Sequence, residues 1–238
     1  MIGTTVLNQT IKPCRPFMLR SLSLISVLFI FCAVLGCTMN DAAPKDVPSD
    51  FIVGWGDSMT EGSPGNSYLI ELQKLTGYQV VNQGKSGETS TKIAQRMLAD
   101  KEKHAYNTII WVGRNNYLEP DNVKADIAAM VKALGHKRYL VLGILNGSFG
   151  TNEDVFGAGH EAIMKLNGEL STLYGDHYIN IHAYLLSQYD PSSYLDIIDH
   201  TDDIVPRSLR SDQLHLNQKG NLKVAERIKQ SLGILTTP

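Results

Sequence analysis

Residues Phe51–Gly62 read FIVGWGDSMTEG, an apolar run that stops abruptly at Gly56-Asp57-Ser58. About five such residues suffice for a strand, and Gly54 and Gly56 allow the backbone to bend sharply as it leaves the sheet. A serine at that bend stands at the carboxyl end of a strand, the edge where open α/β sheets bind ligands. Taken alone, Ser58 serves equally well as a cap for the next helix. The second glycine of Gly-x-Ser-x-Gly is missing, so the nucleophile elbow of the α/β-hydrolases is not written here.

Downstream, strand-like and helix-like segments alternate. Tyr68, Leu69, Leu72 and Leu75 have helical spacing, and Tyr78–Asn82 is a second strand leading into Gln83-Gly84-Lys85-Ser86-Gly87-Glu88-Thr89. Thr89 or Ser90 caps a helix with Ile93, Ala94, Met97 and Leu98 on one side. A third strand, Thr108–Val112, ends in Gly113-Arg114-Asn115-Asn116, and Val123, Ile127, Met130, Val131 and Leu134 then stripe a helix closed by Gly135. Tyr139–Leu145 reads as a buried strand, followed by a glycine-rich loop to Gly159 and a helix carrying Ile163, Leu166, Leu170, Leu173 and Tyr174. Tyr178–Ile181 is a short fifth strand, Ala183–Asp212 is polar and poorly periodic, and Asn217 caps a last helix with Leu222, Val224, Ile228 and Leu232 buried. This alternation implies a parallel sheet with right-handed crossovers and helices on both faces.

Upstream, Leu22–Leu35 is almost wholly apolar, follows Lys12, Arg15 and Arg20, and closes on Val34-Leu35-Gly36-Cys37. The run is short for a membrane span. A basic segment, an apolar segment and a small residue before the cysteine form a signal peptide over 1–36, and the ending resembles the bacterial lipobox, which implies cleavage before Cys37 and a lipid on it. An ordinary signal peptide or an uncleaved anchor are the alternatives, and Met18 is a second candidate start. Thr38 after Cys37 leans, by the same resemblance, towards the outer membrane. Residues 37–50, with Pro44 and Pro48, read as the lipidated cysteine and a flexible tether, leaving 51–238 as the domain.

The 238 residues carry a net charge of −2, and the basic residues of the leading segment leave a mildly acidic body, which gives no reason to expect nucleic acid. Cys14, Cys32 and Cys37 all precede that body. Disulfides, thiol catalysis and cysteine-ligated metals are thereby excluded from it.

In such a sheet the strand ends share one edge. Asp212 stands three residues before His215 on a loop entering a helix, so its carboxylate can turn back onto Nδ1 while Nε2 faces Ser58. Acyl transfer also needs oxyanion donors, for which the Ser58 and Gly87 amides and the Asn115 side chain are placed at strand ends. Gly87 as a turn glycine and Asn115 as a loop residue are the plainer readings.

Gly56-Asp57-Ser58, then Asn82 with Ser86-Gly87-Glu88-Thr89, then Gly113-x-Asn115, then Asp212-x-x-His215 together resemble the GDSL or SGNH hydrolase family. The blocks span most of the domain, and four in order are far more specific than one. The resemblance implies a three-layer α/β/α sandwich with a flavodoxin-like, five-stranded parallel sheet. It implies Ser58 as nucleophile, His215 as general base and acid, Asp212 as its partner, and Ser58, Gly87 and Asn115 as the oxyanion hole. No cofactor or metal is implied. The third block usually reads Gly-x-Asn-Asp, whereas Asn116 stands here in place of the acid. Arg114 either holds an anionic or hydroxyl group of a substrate at the rim or points to solvent.

Asp196, Asp199, His200, Asp202 and Asp203 match no metal-site spacing and read as a solvated loop. Trp55 reads as core, and His104, His136, His160, His177 and His182 as structural or surface residues. The expectation is a monomeric, lipid-anchored serine esterase of the bacterial envelope, or a secreted one, taking a small acyl group from a polar alcohol such as a carbohydrate. Lysophospholipase or thioesterase activity, acyl transfer to a second sugar, and a non-catalytic glycan-binding lipoprotein are the rivals.

Overall fold

The computed structural model describes residues 49–237 except Pro64. The signal segment, Cys37 and nearly all of the tether lie outside the described residues. Among those described, no helix is long and apolar enough to cross a membrane.

Five strands form one parallel sheet in the order β2-β1-β3-β4-β5: β1 Phe51–Gly56, β2 Gln79–Gly84, β3 Asn107–Trp111, β4 Tyr139–Leu142 and β5 Tyr178–Ile179. The helices are α1 Ser58–Glu61, α2 Tyr68–Thr76, α3 Ser90–Ala99, α4 Pro120–Leu134, α5 Ala158–Tyr174, α6 Ile181–Leu186, α7 Tyr194–Thr201, α8 Gln218–Gln230 and α9 Leu232–Thr236. Successive strand residues point to opposite faces, so Ile52 and Ile109 join Leu69, Leu72, Val224 and Ile228 in one core. Val53 and Ile110 join Ile93, Met97, Ile127 and Leu166 in the other. Helices on both faces of the sheet make the three layers, and Trp55 is buried at 1% exposure.

The chain leaves β1 towards β2 on one side and returns to β3 on the other. That reversal opens a crevice at the carboxyl ends of β1 and β3, where a ligand has room.

Several boundaries differ from expectation. The ladder of β4 stops at Leu142 because Asn167 of α5 takes over: its Oδ1 accepts Ile144 N at 2.8 Å and its Nδ2 donates to Ile144 O at 2.8 Å. Leu98 and Leu173, placed on buried stripes by spacing, are 39% and 60% exposed. The stretch Ala183–Asp212 is not irregular, since α6 ends and α7 lies within it. Asn217 caps α8 as its position suggested, accepting Gly220 N at 3.0 Å.

Candidate active site

Ser58 is the first residue of α1, and its helix is capped by its neighbour: Asp57 Oδ1 accepts Met59 N at 3.0 Å. Gly54 and Gly56 do not act by bending the backbone, because neither has a positive φ. They make room. A Cβ on Gly56 would stand 2.1 Å from Thr60 Oγ1 and 2.5 Å from Trp111 O, and one on Gly54 would meet Leu69 Cδ1 at 2.7 Å. From β2, Asn82 Nδ2 donates to Thr60 O at 2.9 Å and Glu61 O at 3.1 Å, satisfying carbonyls at the end of α1. Glu61 in turn accepts Ser86 N at 2.9 Å and the Ser86 hydroxyl. The serine turn and the loop holding Gly87 are thus tied to each other.

His215 reaches this turn from the far end of the chain. Its Nε2 lies 2.9 Å from Ser58 Oγ and its Nδ1 lies 2.8 Å from Asp212 Oδ2. Asp212 Oδ1 also accepts Leu214 N at 2.8 Å and His215 N at 2.7 Å. Burial acts to raise the Asp212 pKa, but the two backbone donors and then the imidazole outweigh it and hold it below the usual range. An ionised carboxylate only accepts, so Nδ1 carries the proton and Nε2 presents a lone pair to the serine hydroxyl.

Gly87 is in the left-handed region at φ 74°, and a Cβ there would meet nothing within 4 Å. Asn115 Nδ2 donates to Glu88 O at 2.9 Å, which ties the side chain to the Gly87-Glu88 segment and leaves its second N–H available. Among the described residues no hydrogen bond occupies the Ser58 or Gly87 backbone N–H. Ser58, Asp212 and His215 line a cavity of about 300 Å³ together with Met59, Ser63, Ser86, Ser211, Leu216 and Asn221.

A family model of GDSL-like lipases and acylhydrolases matches residues 54–223. The chain belongs to that family. No curated protein matches the sequence. Among solved structures it is similar to the lipase/acylhydrolase from Enterococcus faecalis (18% identity, TM-score 0.59, 76% of this chain and 94% of that one). It is also similar to the psychrotrophic esterase EstA from Pseudoalteromonas sp. (16%, 0.55, 77% and 97%) and to the acetyl xylan esterase AlAXEase (18%, 0.57, 76% and 99%). At these identities the likeness is one of fold, and the five-stranded parallel sheet is that of the GDSL hydrolases.

Against the usual pattern of the GDSL family, the asparagine at 116 has a structural account. Buried Asn116 accepts Ser90 N at 3.0 Å through Oδ1 and donates Nδ2 to Ser90 Oγ at 3.0 Å. Ser90 Oγ then donates to Asp126 Oδ2 at 2.6 Å, so the acid has its partner on α4 instead. Among the described residues no hydrogen bond joins Asn116, Ser90 or Asp126 to Ser58 or His215.

Arg114 does not point to solvent. Its side chain is 11% exposed, with Nη2 donating to Glu153 Oε1 at 2.9 Å and the guanidinium lying 5.3 Å from the Tyr117 ring and 5.5 Å from that of Phe149. Glu153 Oε2 accepts Gly147 N at 2.8 Å, so the pair braces the loop after β4. The reading of Asp196–Asp203 as a solvated loop is also corrected: Asp196 and Asp199 are 0% and 2% exposed. Asp196 accepts Ser208 N and Oγ, while Asp199 accepts Arg207 and Arg210. Among the described residues no group of three or more His, Cys, Asp or Glu could hold a metal ion. Sequence spacing gave no signal for Glu61, Glu153, Asp199 or Arg210, because their partners lie on other turns or on other elements.

Asp57, the acid of the GDSL signature, is buried, and desolvation raises its pKa from 3.8 to about 6 against the opposing Met59 amide, Arg114 and His215. The folded state therefore holds this proton more tightly than the unfolded chain. The stability it contributes is present below pH 3.8 and is lost as pH rises through about 6. Asp57→Asn keeps an oxygen for Met59 N and removes the titration. Urea unfolding from pH 4 to pH 8 is expected to show the variant gaining roughly 2 kcal/mol on the wild type; parallel profiles would contradict this.

Proposed function

We propose that the protein is a serine esterase that removes small acyl groups from polar alcohols, O-acetyl groups on envelope or extracellular carbohydrate being the favoured substrate. The carrying observation is the Ser58–His215–Asp212 hydrogen-bond chain opening into a cavity of about 300 Å³ lined also by the hydroxyls of Ser63, Ser86 and Ser211 and the amide of Asn221. Met59 and Leu216 are its two apolar side chains. Long acyl chains gain affinity by burying methylenes, each worth about 0.8 kcal/mol, and these walls offer them little. The likeness in fold to an acetyl xylan esterase is in keeping with this choice.

In the mechanism, His215 Nε2 takes the Ser58 proton as Oγ attacks the ester carbonyl. The developing oxyanion rests on the Ser58 and Gly87 N–H groups and the free N–H of Asn115. Collapse releases the alcohol, protonated by His215, and leaves an acyl-enzyme. Water, deprotonated by the same imidazole, attacks that ester and frees the acid. Asp212 holds the Nδ1 tautomer and stabilises the imidazolium throughout. The cysteine at 37 and the segment before it support placement at the envelope surface through a lipid.

Hydrolysis of p-nitrophenyl acetate, butyrate and decanoate by the full chain tests the reading, with a phosphonate ester as an active-site label. Expected are a kcat/KM at least ten-fold higher on acetate than on decanoate and one phosphonyl group, located on Ser58 by mass spectrometry. A preference for decanoate would move the assignment to a lysophospholipase or thioesterase. Absence of both hydrolysis and labelling would favour a glycan-binding role. Adding a competing sugar acceptor and analysing products separates hydrolysis from acyl transfer.

A further inference from the structure

The Asp212–His215 pair is poorly supported by its own surroundings. The two side chains are 52% and 43% exposed, and among the described residues the Asp212 carboxylate bonds only within its own turn. Such a turn is self-contained, so its position relative to Ser58 needs an anchor from outside. We propose that Arg210, itself fixed by Asp199, is that anchor: a positioning residue for the Asp212–His215 pair. This rests on reading His215 as the base of Ser58.

The Arg210 side chain is 4% exposed and uses three of its nitrogens on separate partners. Nη1 donates to Asp212 O at 3.2 Å and Gln213 O at 3.1 Å, Nε to Val205 O at 2.6 Å, and Nη2 to Asp199 Oδ2 at 2.8 Å. The guanidinium therefore grips the turn by its backbone while its other edge is held by a buried carboxylate. Asp199 is in turn immobilised, accepting Arg207 N at 2.6 Å and Arg207 Nη2 at 2.9 Å. Asp196 fixes Ser208, two residues before Arg210, through its N at 3.1 Å and Oγ at 2.6 Å. Gln213 O also accepts Ser148 N at 2.8 Å, which joins the same turn to the loop that Arg114 and Glu153 brace. The planar fork matters because an ammonium is a single point that cannot serve separated acceptors in fixed directions.

Arg210→Lys and Asp199→Asn, made in the full chain, test this by the split between kcat and KM for p-nitrophenyl acetate and by proton NMR of the His215 Nδ1–H. A displacement of about 1 Å at a reacting group costs roughly 10²-fold. Arg210→Lys is expected to lower kcat by roughly that factor with KM within about two-fold, and to broaden or abolish the downfield Nδ1–H signal. Asp199→Asn keeps an acceptor and is expected to lose roughly ten-fold, an intermediate effect, in kcat. The proposal is overturned if both folded variants keep kcat within about three-fold, if the proton signal is unchanged, or if neither variant folds, since the network would then serve the fold alone. Should the wild type and Ser58→Ala hydrolyse esters equally, the reading of Ser58 fails, and the proton signal still decides the part played by Arg210.

Discussion

Ser58→Ala is expected to lower kcat/KM for p-nitrophenyl acetate by roughly 10³- to 10⁶-fold, the range seen when a nucleophile that acts as a unit with its base is removed. The fold should survive. The cap of α1 is Asp57 accepting Met59 N, not the Ser58 hydroxyl, and among the described residues Oγ loses one hydrogen bond, that at 2.9 Å to His215 Nε2. The backbone N–H of residue 58 remains, so the proposed oxyanion donors persist and a residual rate above background is expected. Binding of a non-hydrolysable acetyl analogue should change little, because the hydroxyl contributes to bond making and hardly to the walls of the cavity. An Ser58→Ala protein within ten-fold of the wild type, with unchanged thermal unfolding, would remove Ser58 from the mechanism.

Gly84→Ala is expected to damage stability and rate together. A Cβ at Gly84 would lie 2.0 Å from Glu61 N, 2.5 Å from Glu61 Cα and 2.6 Å from Thr60 C. These are backbone atoms of α1, so no flexible side chain can turn aside, and either β2 or the serine helix must move. Overpacking of this kind costs about 1–3 kcal/mol and at times more. Movement of α1 also breaks the Asn82 bonds to Thr60 O and Glu61 O and carries Ser58 away from His215. A roughly 10²-fold loss in kcat is therefore expected beside a loss of about 3 kcal/mol in urea unfolding. Gly168→Ala is the control, since its Cβ would meet nothing within 4 Å and alanine favours a helix interior by about 0.5–1 kcal/mol. Equal effects of the two substitutions would refute the close-approach account of Gly84.

Much of this is legible in the sequence. An unbroken apolar run such as Phe51–Val53 announces a strand, and Gly135 and Asn217 mark helix ends, because these signals depend on backbone conformation within a few residues. The blocks holding Ser58, Gly87 and Asn115 stand at strand ends, which share one edge of a parallel sheet, whereas Asp212-x-x-His215 lies on a late loop and is legible through the resemblance of the four blocks in order to the GDSL family. The role of a glycine is not legible where its use is not local. Gly54 and Gly56 stand in ordinary extended backbone, and their need for a missing Cβ comes from Leu69, Thr60 and Trp111, which arrive from elsewhere.

The chain's own letters, then, determined the parallel α/β architecture, the order of its elements and the residue types that meet at its carboxyl edge, since periodicity and turn chemistry are short-range. Only the tertiary structure decided what those residues lean on. It turned Arg114 inward to Glu153, set Asn116 against Ser90 of α3, and buried Asp196 against Ser208 and Asp199 against Arg207 and Arg210. A charged side chain is buried only with its partners in place, and those partners come together only when the chain has folded.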